Sequence, residues 1–248
     1  CGVVRLLRLA TECKVGDGIM KPYYQDEWVT IYNADCRDVL PTLDTIDLVL
    51  TDPPYNTMNK DIQLEGRSAM KRDFGEWDQE FNPTEHIQMW SDVLKVGGSA
   101  LVFSSDRLIS AYREGVLNPR GTIVWIKDNP APHPRPVYVQ ATEWIVWLQK
   151  EGAAATWNGN GYTLNIENMP SAAGEERTEH PTQKPVKLLR RFILRHSDKT
   201  DTILDPFMGS GTTLRAAKDL NRKAIGIEIE ERYCEIAAKR MPQMAMEL

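Results

Sequence analysis

The chain has 248 residues, is 42% hydrophobic, and carries a formal net charge of −5 with four cysteines. This suits one α/β domain with a full core, excludes a bilayer-crossing segment, a C-x-x-C zinc site and a disulfide framework, and makes a reducing cytoplasm the default. The acidic balance argues against tight non-specific binding to nucleic acid, although a local basic face is enough to hold phosphate.

Residues 1–27 read as an irregular N-terminal arm with no assigned role. The opening apolar stretch is broken by Arg5 and Arg8 and does not resemble a signal peptide. Trp28 to Tyr32 predicts a strand. Asp35 can accept a hydrogen bond from a ligand at the strand end and can N-cap a short helix over 36–40, and the two roles are compatible. Ile46 to Leu50 is a short apolar run of the kind that forms a buried strand. Asp52-Pro53-Pro54-Tyr55 follows, and its two prolines must end that strand, because neither can donate to a sheet ladder. Pro53 stiffens the turn, so the Asp52 carboxylate and the Pro53 carbonyl make a fixed pair of acceptors. Tyr55 adds a flat π-face on which a base can stack. Together they suit an exocyclic amine, and on these residues alone that reading is even with a plain strand-ending turn.

Residues 56–73 form a polar loop with Lys60, Arg67, Lys71 and Arg72, placed to cover a site at the strand end. Asn82-Pro83-Thr84-Glu85 is a helix start, and Gly97-Gly98 is expected to end that helix. A strand over 99–103, a helix over 106–114 and a strand over 122–126 follow. Residues 127–137 are a proline-stiffened loop with Lys127, His133 and Arg135, and 142–148 is a returning strand. Residues 151–180, rich in Gly and polar residues, read as an irregular insertion. This segment and 127–137 are the candidates for target recognition. Pro185 opens a basic helix that turns Leu189, Phe192 and Ile193 inward and leaves Arg190 and Arg195 in solvent. Thr202 to Asp205 is a strand feeding a turn with Gly209 and Gly211, where backbone can approach a ligand closely. The helix behind it favours an anion at its N-terminus, but the Gly-Lys-Ser/Thr of a phosphate loop is absent. Lys223 to Glu228 is a strand ending in an acid, the position that holds ribose hydroxyls in dinucleotide folds. A last helix runs over 230–240 with Tyr233, Ile236 and Ala237 facing in.

Asp52-Pro53-Pro54-Tyr55 resembles the catalytic motif of the amino-methyltransferases that modify adenine N6 or cytosine N4 in DNA. Asp205-Pro206-Phe207-Met208-Gly209-Ser210-Gly211-Thr212 resembles their S-adenosylmethionine loop. His180-Pro181-Thr182-Gln183-Lys184-Pro185 resembles the segment that precedes this loop in the β-group, whose permuted motif order the chain follows. The resemblance spans about residues 28–240. It implies a doubly wound, mostly parallel, Rossmann-like methyltransferase sheet in a single domain over 28–248.

The resemblance also implies S-adenosylmethionine as cofactor, no metal, double-stranded DNA as partner, no membrane, and a homodimer as in many relatives; a restriction endonuclease partner is left open. Asp52, Pro53, Pro54 and Tyr55 are then catalytic. Asp35, His180, Gln183, Lys184, Asp205, Pro206, Phe207, Gly209, Ser210, Gly211, Thr212 and Glu228 are expected to bind the cofactor. In that family Asp at the first position is commoner for adenine and Ser for cytosine N4, so adenine N6 is the first reading and cytosine N4 the second. Cytosine C5 chemistry is excluded, since it needs a thiolate beside a proline and no Pro-Cys pair occurs. RNA or protein-glutamine methylation fits less well, because those relatives usually carry Asn first in the unpermuted order. A DNA-binding regulator without catalysis is the alternative from another class, and the intact Asp52, Gly209 and Gly211 argue against it.

Overall fold

The computed structural model describes residues 13–15, 18–55, 81–130, 138–159, 161–180 and 182–242. The expected cover over 56–73 and all but the first four residues of the loop 127–137 lie outside them.

The central strands form as the apolar runs predict. They are β4 (Val29–Asn33), β5 (Ile46–Thr51), β6 (Leu94–Ser104), β10 (Thr202–Asp205) and β11 (Lys223–Glu228). With β3 (Tyr24–Gln25), β7 (Asn118–Ile126), β8 (Thr142–Gln149) and β9 (Ile166–Asn168) they make one sheet of order β3-β4-β11-β10-β5-β6-β8-β7-β9. Pairing is parallel from β4 to β6 and antiparallel on both sides of β8. A separate hairpin joins β1 (Cys13–Val15) to β2 (Gly18–Met20). The N-terminal arm is therefore not irregular throughout. Asp26 accepts from the Trp28 and Val29 amides at 2.8 Å, which turns β3 back as an antiparallel edge on β4.

Helices cover both faces. The helices α1 (Cys36–Val39), α2 (Pro83–Val93) and α3 (Ile109–Arg113) lie on one side. On the other are α4 (Val186–His196), α5 (Thr212–Asp219) and α6 (Glu231–Arg240). The period-2 alternation of the strands supplies both cores. Leu48, Leu50, Leu101 and Phe103 pack with Leu188, Phe192 and Leu214, whereas Val49, Ala100 and Val102 pack with Ile87, Trp90 and Tyr112. Each of the fully buried Leu, Val, Ile and Phe side chains contributes about 1.5–3 kcal/mol.

Several boundaries depart from the sequence expectation. Helix α2 stops at Val93, four residues before the glycine pair, and the chain enters β6 at once. Lys150 is the reason: its ammonium donates to the Ser91 and Leu94 carbonyls at 2.6 and 2.8 Å, and its backbone pairs with Gly97 and Gly98. Ladder pairing thus extends the strand through glycines that would otherwise end a helix. The expected helix over 106–114 is a 3₁₀ turn followed by a short α3. The insertion over 151–180 contributes β9, which extends the sheet in parallel beside β7. Arg195 is not left in solvent. With Arg191 it holds Glu167, whose side chain is 4% exposed, and so ties β9 to α4. In α6 it is Cys234, with Tyr233 and Ala237, that faces in, while Ile236 is only half-buried.

Candidate active site

The carboxyl ends of β4, β11, β10 and β5 open on one cavity of about 320 Å³, lined by Asp35, Glu228, the turn after Asp205 and the turn 52–55. Sequence alone separates Asp52 from Asp205 by more than half the chain, and the sheet brings them to adjacent strands because β10 lies beside β5. Thr51 seals that junction by donating its hydroxyl to Asp205 at 2.8 Å.

The glycine turn has the geometry that its residue types demand. Gly209 and Gly211 have φ of +50° and +75°, the left-handed region where a Cβ is strained. A Cβ on Gly211 would stand 2.7 Å from that of Ala237, and one on Gly209 would stand 2.7 Å from His180 Nε2. The Gly209 amide donates to Glu228 at 3.0 Å and the Glu230 amide to the other oxygen of that carboxylate at 2.8 Å. Burial pushes the Glu228 carboxyl up to about 7. Burial likewise pushes Asp205 up to about 6, against hydrogen bonds from the Thr213 and Thr51 hydroxyls and the Phe207 amide.

Several expected cofactor residues are engaged within the protein itself. Asp205 braces the turn to β5. Gln183 accepts from the Thr178 amide and hydroxyl at 2.8 Å and donates to the Glu176 carbonyl at 2.7 Å, which fixes its own loop. Arg240 holds the Ser210 carbonyl at 2.7 Å and the Thr212 hydroxyl at 3.2 Å. Asp35 is the N-cap of α1, accepting from the Arg37 amide at 2.9 Å, and its ion pair with the Arg37 guanidinium keeps its carboxyl low. The cap is formed, and the same carboxylate lines the cavity. Lys184 lines the same cavity, where its ammonium pairs with Asp52 and, at 3.3 Å, with Glu143.

Around Asp52 the charges are dense. Tyr55 donates its hydroxyl to Oδ1 at 2.5 Å, and Lys184 donates to Oδ2. Burial raises the Asp52 carboxyl, with Lys184 opposing. Burial also pulls Lys184 down, but Asp52 and Glu143 together leave it raised and charged. Glu143 is a residue that motif reading misses, and its signal was faint: an acid in an otherwise apolar and aromatic strand. Phe81 and His86 are missed for a similar reason. They close on the Phe207 ring at 5.5 and 5.4 Å, a contact between α2 and the turn after β10 that no spacing rule foretells.

The cavity fits the cofactor that the motifs imply. Among the described residues, His180 Nδ1 is buried without a partner where the His180 ring, 4.6 Å from that of Tyr233, borders the glycine turn. Burial holds that imidazole at about 4, hence neutral. Acceptors for an amine and for hydroxyls stand on Asp35 and Glu228, and the Phe207 ring offers an apolar wall.

Comparison with known proteins decides the family. Residues 46–239 match the N6_N4_Mtase family of DNA methylases. The chain belongs to that family.

The DNA methylase is 34% identical to the type II methyltransferase M2.DpnII of Streptococcus pneumoniae, over 93% of this chain and 96% of that one. It is 32% identical to M2.MboI of Moraxella bovis over 89% and 91%. Among solved structures, the M1.HpyAVI–SAM complex superposes with a TM-score of 0.72 at 31% identity, covering 87% of this chain and all of that one. The cytosine-N4-specific PvuII DNA methyltransferase, at 19% identity and a TM-score of 0.66, shares the fold. The chain is therefore an S-adenosylmethionine-dependent DNA methyltransferase of Rossmann-like fold. Among the described residues no helix is long and apolar enough to cross a membrane.

Proposed function

We propose that this methyltransferase acts on the N6 amine of adenine at a specific site in double-stranded DNA, on a base turned out of the helix. The observation that carries this reading is the common cavity: Asp52 and Tyr55 stand at one end and the glycine turn with Glu228 at the other. Glu228, Asp35, His180 and the Gly209–Gly211 turn would hold S-adenosylmethionine, which when bound supplies an electrophilic methyl on a sulfonium that leaves as a neutral thioether. An exocyclic amine cannot be reached inside the stack, so the base must leave it, at a cost of a few kcal/mol. The Tyr55 ring offers the stacking face. Asp52 and the Pro53 carbonyl accept the two N–H groups and draw the amine lone pair out of ring conjugation. They are fixed in advance where positive charge grows on nitrogen, which is how preset acceptors lower a barrier. Asp52 then takes the proton that the amine sheds.

Asp at the first position of the tetrapeptide supports adenine over cytosine. The segments 127–137 and 151–180 are proposed to select the target site. β7 and β9 are parallel, so their carboxyl ends bring 127–130 and 169–180 to the same edge as Asp52, and Asn129 accepts from the Ser171 amide at 2.7 Å.

The test is transfer of label from tritiated S-adenosylmethionine to a mixed-sequence duplex, followed by nucleoside analysis, with Asp52→Ala alongside. Label in N6-methyladenosine that vanishes in the variant is expected. Label in N4-methylcytosine would overturn the choice of base, and full activity of Asp52→Ala would overturn the mechanism.

A further inference from the structure

Glu143 is a charged group lining this cavity that no motif explains. It stands near the start of β8, opposite Trp125 of β7. Its Oε1 accepts from the Lys127 ammonium at 2.5 Å, and its Oε2 lies 3.3 Å from the Lys184 ammonium. The Lys184 side chain is only 7% exposed and 5.1 Å from the Phe103 ring centre, so its charge is satisfied by two carboxylates, Asp52 and Glu143. Asp52, Lys184, Glu143 and Lys127 thus form a chain of alternating charge that is neutral when all four are ionised. Burying a second carboxylate there is costly, and the cost is offset by its two cations, Lys127 and Lys184. What Glu143 adds is to be sought in its effect on Asp52.

We propose that Glu143 is a positioning residue for methyl transfer: by sharing the Lys184 ammonium it fixes the direction of the Asp52 carboxylate that takes the amine proton. This rests on Asp52 as the acceptor of the amine. The first effect is geometric. With Lys184 on one oxygen and Tyr55 on the other, the plane of the Asp52 carboxylate is set, and about two of its roughly four lone-pair sites remain for the amine. Glu143 sets where Lys184 sits, and Lys127 in turn sets Glu143. The second effect is electrostatic. A Lys184 committed to Asp52 alone would make that carboxylate a weak base. Glu143 draws on the same cation and repels the Asp52 charge, so it works with burial, the larger influence, against the pull of Lys184. Among the described residues, the other titratable groups around Asp52 are the Tyr55 hydroxyl, Asp205 at the end of β10 and Tyr112 on α3. The proton transferred is the one released as the amine lone pair becomes the new N–C bond; the N–H electrons return to nitrogen and the proton goes to an Asp52 oxygen.

The test compares Glu143→Gln and Glu143→Asp in the full chain. Single-turnover transfer to duplex DNA is followed against pH. In cofactor-free and DNA-free protein the Asp52 carboxyl is titrated by ¹³C NMR, assigned through Asp52→Asn. Glu143→Gln is expected to slow transfer by about tenfold to a hundredfold, the range for misalignment of a reacting group, with little change in KM. The acidic limb of the rate profile and the Asp52 titration should both move to lower pH, and Glu143→Asp should restore them in part. An unmoved Asp52 titration, or a uniform loss of rate at every pH, would overturn the proposal. Should Asp52→Ala remain active, the catalytic reading fails separately, and the titration still reports whether Glu143 acts on Asp52.

Discussion

Lys184→Met removes one cation and leaves its two partners in place. Removing one member of a buried ion pair costs about 3–5 kcal/mol. The Asp52 side chain is 22% exposed toward the cavity, so water recovers part of the loss, and Lys127 still serves Glu143. A destabilisation of about 2–3 kcal/mol remains, and in a chain of this size each kcal/mol lowers Tm by about 2–4 °C. The expected fall is thus about 4–12 °C near neutral pH. The sign of the pH dependence follows from linkage. Without Lys184, burial and Glu143 both raise the Asp52 carboxyl above its unfolded value, so the folded variant binds a proton that the unfolded chain does not. Its stability is then greatest below the unfolded carboxylate range and is lost as pH rises through the folded value. The gap between wild type and variant should widen from acidic to basic pH. Urea unfolding at several pH values reads this directly. A gap that is the same at every pH, or below about 0.5 kcal/mol, would refute the view that the pair is what makes an ionised Asp52 tolerable.

The Glu228 carboxyl, pushed to about 7, should make cofactor affinity rise as pH passes upward through that value, because the ionised form is the better acceptor for hydroxyls; calorimetry on wild type and Glu228→Gln checks this, and the variant should bind weakly without the pH dependence. Gly211→Ala places a Cβ in a left-handed conformation and 2.7 Å from Ala237, so it should cost about 2–4 kcal/mol in urea unfolding and weaken cofactor binding as well. Glu167→Gln should leave Arg191 and Arg195 without their shared acid; hydrogen exchange should rise over 164–170 while methyl transfer at the cofactor end is retained.

The class of fold and the two ends of the site were legible in the chain itself, because they rest on local chemistry. Apolar runs of strand length, prolines that cannot continue a ladder and glycines at positive φ act within a few residues of themselves. Asp52-Pro53-Pro54-Tyr55 and the Gly209–Gly211 turn could thus be placed at strand ends before any packing was known. What only the tertiary structure decided is which strands lie side by side and which charges meet. β4, from the start of the chain, completes the half-sheet built by β10 and β11 from its end. Lys184 pairs with Asp52, and Glu143 joins them from near the start of β8. The physical reason is the range of the forces. Backbone sterics and capping are local, whereas a buried charge takes whichever opposite charge the packed sheet brings within a few ångströms, and spacing along the chain carries no record of that.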